Sequence, residues 1–324
     1  MTLTAAHRLD GIVPKIEQAI LEPIIADIER LKQQRNAVVL AHNYMTPDIF
    51  FGVADLRGDS LQLARMAAET DADVIVMAGV HFMAETAKIL SPEKTVLIPD
   101  RRAGCSLAES ITPEDIAELR RQHPGAPVCT YVNTSADVKA ASDITCTSSN
   151  AVEIVKSLGT DKVICLPDQY LANWIATQLP EIEIITHPGA CEVHERFTGP
   201  QLAAYRATHP GAQIIAHPEC PPDVLAEADY VGSTAGMTKW VVDNQPAQVV
   251  MVTECSMADN VAQAAPTTEF LRPCNMCPHM KRITVHNIRT ALEEMQYIVD
   301  VDPAVAEGAK AAVEAMLAVG QPAR

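Results

Sequence analysis

One cysteine pattern constrains this chain more than any other feature of its sequence. Cys105, Cys191 and Cys277 are separated by two equal intervals of 86 residues. Equal spacing of one reactive residue type predicts a unit copied three times, with each copy delivering one thiolate. Each cysteine comes 28 to 31 residues after the start of a short apolar run of the kind that forms a buried strand.

A second landmark recurs in the same register. His42, Tyr131 and His217 each follow an apolar run, at spacings of 89 and 86 residues. A small hydroxyl cluster that leads into a helical pattern comes 16 to 18 residues after each of them. These hydroxyl residues are Ser60, Ser148, and Ser233 with Thr234. Two landmarks that recur in three copies predict an internal triplication.

The alternation of strand-like and helical patterns predicts the fold class. Within each copy it indicates βαβ connections, so we expect three small α/β units with parallel sheets. The predicted division is a helical segment at 1–35, units at 36–122, 123–208 and 209–288, and a helical segment at 289–324. Ligands of such sheets bind beyond the carboxyl ends of the strands. Three such faces turned toward one axis would enclose a single central cavity.

Charge and cysteine usage limit the class of partner and the compartment. A net charge of −16 argues against nucleic acid or an anionic membrane as a partner. No apolar run approaches the roughly 18 residues needed to span a bilayer, and the N-terminus lacks the features of a signal peptide. Nine cysteines without an export signal point to a reducing compartment. We therefore expect a cytoplasmic protein that works on small molecules.

Three thiolates that arrive singly from distant copies predict a metal centre. Held by three cysteines, a four-iron cluster keeps one iron open to act as a Lewis acid. A tetrahedral zinc is the competing interpretation, because His194 lies three residues after Cys191. Zinc ligands usually come in closely spaced pairs, which favours the cluster. Cys274 completes a CxxC with Cys277 and is interpreted as a spare thiol or as the partner of Cys277 in a reversible disulfide.

Polar side chains beside these landmarks suggest acid–base chemistry. His42, His194 and His217 each follow a predicted strand or a candidate ligand. The other members of the set are Tyr44, Tyr131, Asn133 and Glu219. Together they make a plausible set of proton donors and acceptors. The hydroxyl residues are interpreted as helix caps or as anion sites, and the two interpretations are compatible. We interpret the remaining cysteines as structural; they are Cys129, Cys146, Cys165, Cys220 and Cys255.

The loops that carry these residues resemble those of a known family. The motifs are AHNYMTPDIF, GDSLQLA, GCSLAE, YVNT, CTSSNA, HPGACEVH, HPEC, GSTAGM and CPHM. In this order, from about residue 36 to 290, they resemble the quinolinate synthase family. The resemblance implies an enzyme of the transferase type that condenses iminoaspartate with dihydroxyacetone phosphate to quinolinate, with loss of phosphate and two waters, in NAD biosynthesis. It also implies three pseudo-threefold-related, Rossmann-like α/β/α units around a central cavity with one [4Fe–4S] cluster per chain.

Carried onto this sequence, the resemblance makes Cys105, Cys191 and Cys277 the cluster ligands. It places substrate contacts at His42, Tyr44, Ser60, Tyr131, Asn133, Ser148, His194, His217, Glu219, Ser233 and Thr234. Tyr44 and Glu219 are expected to move protons, and His42 and His217 to orient or share that task. The resemblance also implies a transient contact with the enzyme that supplies iminoaspartate.

One departure and three alternatives accompany this resemblance. Some relatives carry CxxCxxC before the proline, whereas this chain has CNMC, which puts any family disulfide switch in doubt. An aconitase-type hydro-lyase, a relative of the diphthamide enzymes and a cluster-based redox sensor are the alternatives. The AHNY and HPEC loops favour the synthase over the other enzymes. Convergent acid–base groups favour an enzyme over a sensor.

Overall fold

Twelve short strands form the framework of the protein in a computed structural model that describes residues 8–319. The strands are β1 (Ala37–His42), β2 (Leu56–Gly58), β3 (Val74–Ala78), β4 (Thr95–Leu97), β5 (Val128–Tyr131), β6 (Ile144–Cys146), β7 (Lys162–Leu166), β8 (Glu183–Thr186), β9 (Gln213–Ala216), β10 (Tyr230–Val231), β11 (Gln248–Val252) and β12 (Glu269–Leu271). They make three parallel sheets, with the orders β2-β1-β3-β4, β6-β5-β7-β8 and β10-β9-β11-β12. The same order three times confirms the predicted α/β class and its parallel sheets.

Helices connect and flank the strands. They are α1 (Lys15–Arg35), α2 (Pro47–Gly52), α3 (Ser60–Glu69), α4 (His81–Leu90), α5 (Pro113–Gln122), α6 (Ala136–Ala140), α7 (Ala151–Ser157), α8 (Gln169–Gln178), α9 (Gly199–Thr208), α10 (Pro222–Ala226), α11 (Thr234–Asn244), α12 (Cys255–Ala262), α13 (Val285–Glu294) and α14 (Pro303–Ala318). Short 3₁₀ turns lie at His194–Arg196 and Met280–Arg282. The helix predicted at the N-terminal end of the chain is confirmed by α1. No helix within residues 8–319 has the length and apolar character needed to cross a bilayer.

A carboxylate pins the first strand of every sheet to the start of the second. An aspartate side chain accepts from a strand amide at 2.7–2.8 Å, and the aspartate's own amide donates back to the carbonyl of that strand residue at 2.7–3.0 Å. The three pairs are Val39–Asp55, Val128–Asp143 and Ile214–Asp229. A carboxylate that accepts a backbone N–H is one of the stronger hydrogen bonds in proteins. The sequence repeat is thus also a repeat of local structure.

Cationic side chains reinforce these pairs. Lys32, Arg120 and Arg206 contact Asp55, Asp143 and Asp229 at 2.6, 3.0 and 3.3 Å. Each also donates to the carbonyl two residues before its aspartate, at Val53, Ala141 and Glu227. The same clamp therefore closes the same turn in each copy.

Capping boxes set the start of the helix that follows each spaced cysteine. Threonine side chains cap α5, α9 and α13, and the residue three positions later returns the hydrogen bond in each case. The boxes are Thr112–Asp115, Thr198–Gln201 and Thr284–Asn287, again 86 residues apart. Because a box satisfies two backbone donors at once, it fixes where the cysteine loop ends.

Contacts along the chain divide it into two compact units. One contains the chain up to Gly104 with Glu254–Pro266 and Met276–Asp300, and therefore holds the first sheet. The other contains Cys105–Thr253, Thr267–Asn275 and the chain from Val301 onward, and holds the second and third sheets. The division into five segments stays a prediction. Residues 1–7 of its first segment and 320–324 of its last lie outside the described residues.

Candidate active site

The predicted acid–base residues lie where strands end. His42 and Tyr131 are the last residues of β1 and β5, and His217 directly follows β9. Each lies three residues after the strand residue whose amide donates to an aspartate side chain. Those strand residues are Val39, Val128 and Ile214. The spacings of 89 and 86 residues therefore correspond to one structural position in three copies.

Glu219 is the centre of a polar cluster in the compact unit that holds the second and third sheets. Its side chain is 4 % exposed. The Tyr131 hydroxyl donates to Oε1 at 2.6 Å, and His194 Nδ1 lies 2.7 Å from Oε2. Both carboxylate oxygens are thus held by side chains that sequence analysis had assigned to the site.

The charge state of Glu219 follows from these contacts. Burial alone would raise its pKa, but the charges of His217 and His194 and the hydrogen bonds from His194 and Tyr131 lower it below its usual value. Glu219 is therefore an ionised carboxylate although its side chain is buried. An ionised carboxylate with partners on both oxygens holds those partners in fixed positions.

Two stacked imidazoles flank this carboxylate. The rings of His194 and His217 lie 4.7 Å apart and 25° from parallel. His194 Nε2 lies 2.9 Å from the hydroxyl of Thr253, which fixes the plane of its ring. His217 Nε2 lies 3.1 Å from Ser148 Oγ, and its Nδ1 accepts from the backbone N–H of Glu219 at 3.4 Å.

His42 in the first unit repeats the arrangement of His217. Its Nδ1 accepts from the backbone N–H of Tyr44 at 3.2 Å, again from the residue two positions later. The two rings meet edge to face, 4.7 Å apart. His42 is 4 % exposed, so its position is set by packing as well as by this bond.

The three spaced cysteines differ from the other free thiols of residues 8–319. Cys105, Cys191 and Cys277 are partly exposed, whereas the four others are buried. In each case the cysteine carbonyl accepts from the amide four residues later, at 3.0–3.1 Å. The donors are Glu109, Glu195 and Lys281. One local turn therefore presents each thiol.

Backbone donors also point at two of the sulfurs. The Cys191 thiol receives N–H groups from Val193 and His194, and the Cys277 thiol from His279 and Met280. These donors lower the thiol pKa, but burial, which is the larger effect, raises it at both positions. A bound cation would reverse that balance by holding the sulfur as a thiolate. Thiols with this setting fit metal ligands better than core side chains.

Cys105 and Cys191 lie near each other in the compact unit that holds the second and third sheets. Ser106 Oγ donates to the carbonyl of Ala190 at 3.2 Å and accepts from the amide of Glu192 at 3.1 Å. Proximity to Cys105 contributes to the raised pKa of Cys191, after burial and the charge of Glu219. Ser106, which follows Cys105, thus holds the residues on both sides of Cys191 by hydrogen bonds.

A mixed donor set offers an alternative metal site. The ligand atoms of Cys191, His194 and Glu219 all lie within 4.8 Å of one another. His194 Nδ1 lies 3.2 Å from Cys191 Sγ and 2.7 Å from Glu219 Oε2. A histidine that ligates a metal through Nδ1 must give up the proton it shares with that carboxylate. The close pairing of His194 with Glu219 therefore favours a proton-transfer role over the zinc interpretation.

The helix-cap interpretation is confirmed for one hydroxyl residue of the four. Ser233 caps α11 and accepts from the amide of Gly236 at 3.1 Å, and Thr234 is the first residue of that helix. Ser60 begins α3, but Asp59 is its cap, so the cap interpretation of Ser60 is wrong. It is also wrong for Ser148, because Asn150 precedes α7 and the Ser148 hydroxyl contacts His217 instead.

Three buried groups escaped the sequence analysis. Thr253 orients His194. Asp168 and Glu254, 86 residues apart, each follow the middle strand of a sheet and cap the next helix with their side chains. Their equal spacing was a usable signal. Asn133, which was predicted, has a buried Oδ1 with no hydrogen-bond partner in the described part of the chain.

The predicted reversible disulfide is absent from this structure. Cys277 is a free thiol, and Cys274 is disulfide-bonded. Cys255, interpreted as structural, is also disulfide-bonded. The spare-thiol interpretation of Cys274 is therefore wrong, and a reversible disulfide between Cys274 and Cys277 stays a prediction.

Comparison with known proteins agrees with this geometry. The family profile described as Quinolinate synthetase A protein matches residues 26–318. "Quinolinate synthase 1" of Mesorhizobium japonicum is 61% identical over 312 residues, which cover 96% of each chain. "Quinolinate synthase" of Agrobacterium fabrum is 60% identical over 96% of this chain and 90% of its own. The Xylella fastidiosa protein of that name is 62% identical over 91% and 87%. This chain therefore belongs to the quinolinate synthetase A family of enzymes.

Proposed function

We propose that this enzyme condenses iminoaspartate with dihydroxyacetone phosphate to form quinolinate, phosphate and two molecules of water, in NAD biosynthesis. The equation balances without an oxidant or a reductant. The names of the relatives support the product. The observation that carries the proposal is the buried, ionised Glu219 held between Tyr131 and His194 beside Cys191.

The condensation needs groups that remove and deliver protons. Carbon–carbon bond formation requires a base, and each loss of water requires an acid at the departing oxygen. Glu219 is the base, and Tyr131 and His194 hold its two oxygens in place. Tyr44 is the second proton-moving group. His42 and His217, whose rings are held by their Nδ1 hydrogen bonds, orient the substrates or share the proton transfers.

Both substrates are anions, whereas the chain carries a net charge of −16. Local donors must therefore bind the phosphate and the carboxylates. The first turn of α11 offers backbone N–H groups with Ser233 and Thr234, and the first turn of α3 offers Ser60. The buried Oδ1 of Asn133 awaits a donor, which the imine or a substrate hydroxyl supplies.

We assign one [4Fe–4S] cluster to each chain, held by Cys105, Cys191 and Cys277. Support comes from their shared local turn, their exposure and the backbone N–H groups that face two of the sulfurs. When bound, such a cluster supplies a Lewis-acidic iron with an open position. The pseudo-threefold arrangement of the copies around a central cavity is part of this proposal. So are the cytoplasmic location and the transient contact with the enzyme that supplies iminoaspartate.

Anaerobic purification followed by a product assay tests the proposal. We expect about four iron and four sulfide per chain, and quinolinate when both substrates are added. A cluster without product would favour the hydro-lyase or sensor alternatives. Zinc in place of iron would overturn the assignment of the cysteines.

A further inference from the structure

Lys281 and Glu254 form a buried ion pair that the proposed chemistry does not use. Lys281 Nζ lies 2.9 Å from Glu254 Oε1, and the Glu254 side chain is fully buried. Lys281 also donates to Ser256 Oγ at 2.7 Å and to the carbonyl of Tyr44 at 2.8 Å. An ammonium group has three donors, so all three are satisfied and the side chain is held in one position.

The same pair holds the backbone of Cys277 on both sides. Glu254 Oε1 accepts from the amide of Cys277 at 3.4 Å, and its Oε2 accepts from the amide of Ser256 at 2.8 Å. The backbone N–H of Lys281 donates to the carbonyl of Cys277 at 3.1 Å. A shift of the Glu254 side chain, which Lys281 holds, would therefore move the backbone of Cys277.

The loop that carries Tyr44 depends on this region for its carbonyl partners. Asn260, on α12, donates to the carbonyls of Asn43 and Met45 at 3.0 and 2.8 Å. Lys281 donates to the Tyr44 carbonyl between them. Three consecutive carbonyls are thus held by two side chains, and Lys281 is the one that also belongs to the turn after Cys277.

Comparison of the copies shows whether the fold requires the ion pair between Lys281 and Glu254. Glu195 takes the place of Lys281 in the turn after Cys191, and Asp168 takes the place of Glu254. The second copy therefore forms the same sheet order and the same cysteine turn with two acids at these positions. Because the fold does not require the ion pair, a role at the site is the better explanation for it.

We propose that Lys281 is a positioning residue that, through Glu254 and the Tyr44 carbonyl, fixes the Cys277 thiol and the Tyr44 loop in one arrangement. The inference deepens the proposed function, since it rests on Cys277 as a ligand and Tyr44 as a proton-moving group. Partners of this kind orient metal ligands without touching the metal.

Four variants and a matched control test the proposal: K281M, K281R, E254Q, the double variant K281M/E254Q, and K32M. Lys32 is the matched control because its ammonium also has three acceptors, at Glu29, Asp55 and Val53, and is 6% exposed. We expect K281M and E254Q to lose iron to bathophenanthroline about 10–100 times faster than the wild type. K281R should keep most of the iron and of kcat, since it retains the charge.

The double variant distinguishes positioning from simple stabilisation. Breaking a buried ion pair leaves one charge unpaired, whereas removing both partners does not. The melting temperature should therefore recover in K281M/E254Q, while fast iron loss and low kcat persist. Control K32M should lower the melting temperature and leave iron loss and kcat as in the wild type.

Hydrogen exchange in the metal-free protein gives a readout that does not depend on the cluster. K281M should speed exchange in both 43–46 and 276–283, and K32M in neither. Wild-type iron loss and exchange in K281M, or full recovery of iron retention in the double variant, would overturn the proposal. If the wild type binds no cluster, the proposed function fails, and exchange alone then decides whether Lys281 couples the two loops.

Discussion

Glu219 is the base in the proposed reaction, and its surroundings keep it ionised although it is buried. The His217 and His194 charges offset the cost of burial that would otherwise raise its pKa. The hydrogen bonds from Tyr131 and His194 also set the position of this carboxylate. The neutral amide of glutamine has nearly the same shape but cannot accept a proton.

Replacing Glu219 by Gln should therefore separate chemistry from assembly. We expect E219Q to retain the iron content and visible absorbance of the wild type, with kcat lower by about 10²–10⁴. Glu183→Gln is the control, because that carboxylate is exposed and contacts only Lys162 among the described ion pairs. Steady-state quinolinate formation measures the effect, and full activity in E219Q would refute its role as a base.

Asp168 is a buried acid whose pKa moves in the opposite direction from that of Glu219. Burial, with the charges of Glu219 and Glu195, raises its pKa well above 3.8. The folded protein therefore keeps a proton that the unfolded chain releases, so stability falls as the pH rises above about 4 toward the pKa of the folded state. The side-chain Oδ1 still caps α8, and asparagine supplies the same acceptor.

Asp168→Asn should flatten this dependence. We expect the melting temperature of D168N to change less with pH than that of the wild type between about pH 5 and pH 8, and to exceed it at the upper end. Thermal unfolding at several pH values measures the difference. Parallel curves for the two proteins would mean that Asp168 is ionised when folded.

At the scale of elements, the three capping boxes allow the same substitution to be compared at three equivalent positions. Thr112, Thr198 and Thr284 occupy equivalent positions before α5, α9 and α13. Replacing each threonine by alanine should cost about 1 kcal/mol and lower the melting temperature by roughly 2 °C. Thr177→Ala, at an exposed hydroxyl near a helix end, should change stability by less than about 0.5 kcal/mol.

Unequal costs would be informative. If local structure alone sets the cost at each box, the three losses of stability should agree within the error of thermal unfolding. A much larger loss at one position would contradict local equivalence and indicate that the cysteine loop before that helix contributes to the difference.

The elements also show where sequence reasoning succeeds and where it stops. Equal spacing identified the cysteine turns and the strand ends at His42, Tyr131 and His217, because a repeat preserves register. It could not assign the start of α3 or α7, since a polar residue beside the serine takes the position before the helix, and Asn150 at α7 makes no side-chain cap. Asp59 wins at α3, and Ser148 turns to His217 instead.

Side chains that contact the site in only one of the three copies cannot be found from the repeat. Thr253 and Lys281 contact the site through side chains that have no counterpart of the same chemistry at the equivalent positions. Residue type and spacing therefore gave no signal for them. Their roles depend on distances between loops that are remote in sequence.

For the whole molecule, the proposed set of three ligands, one from each copy, would link metal binding to folding. Parts of the chain 86 residues apart would share one cofactor. A cofactor that binds only the folded state stabilises it by mass action. Removal of iron should therefore lower the melting temperature of the entire chain and not of one copy alone.

Serine substitutions make this linkage measurable. C105S, C191S and C277S should each bind less iron, make no quinolinate, and show no rise in melting temperature upon anaerobic reconstitution. Cys165→Ala, a buried strand thiol, should lose some stability through its smaller volume yet gain iron, product and melting temperature on reconstitution. If one of the three serine variants reconstituted fully, that cysteine would not be a ligand. Because the three sites lie in different copies, loss of iron in all three variants but not in the control means that the triplication delivers one ligand per copy to one centre.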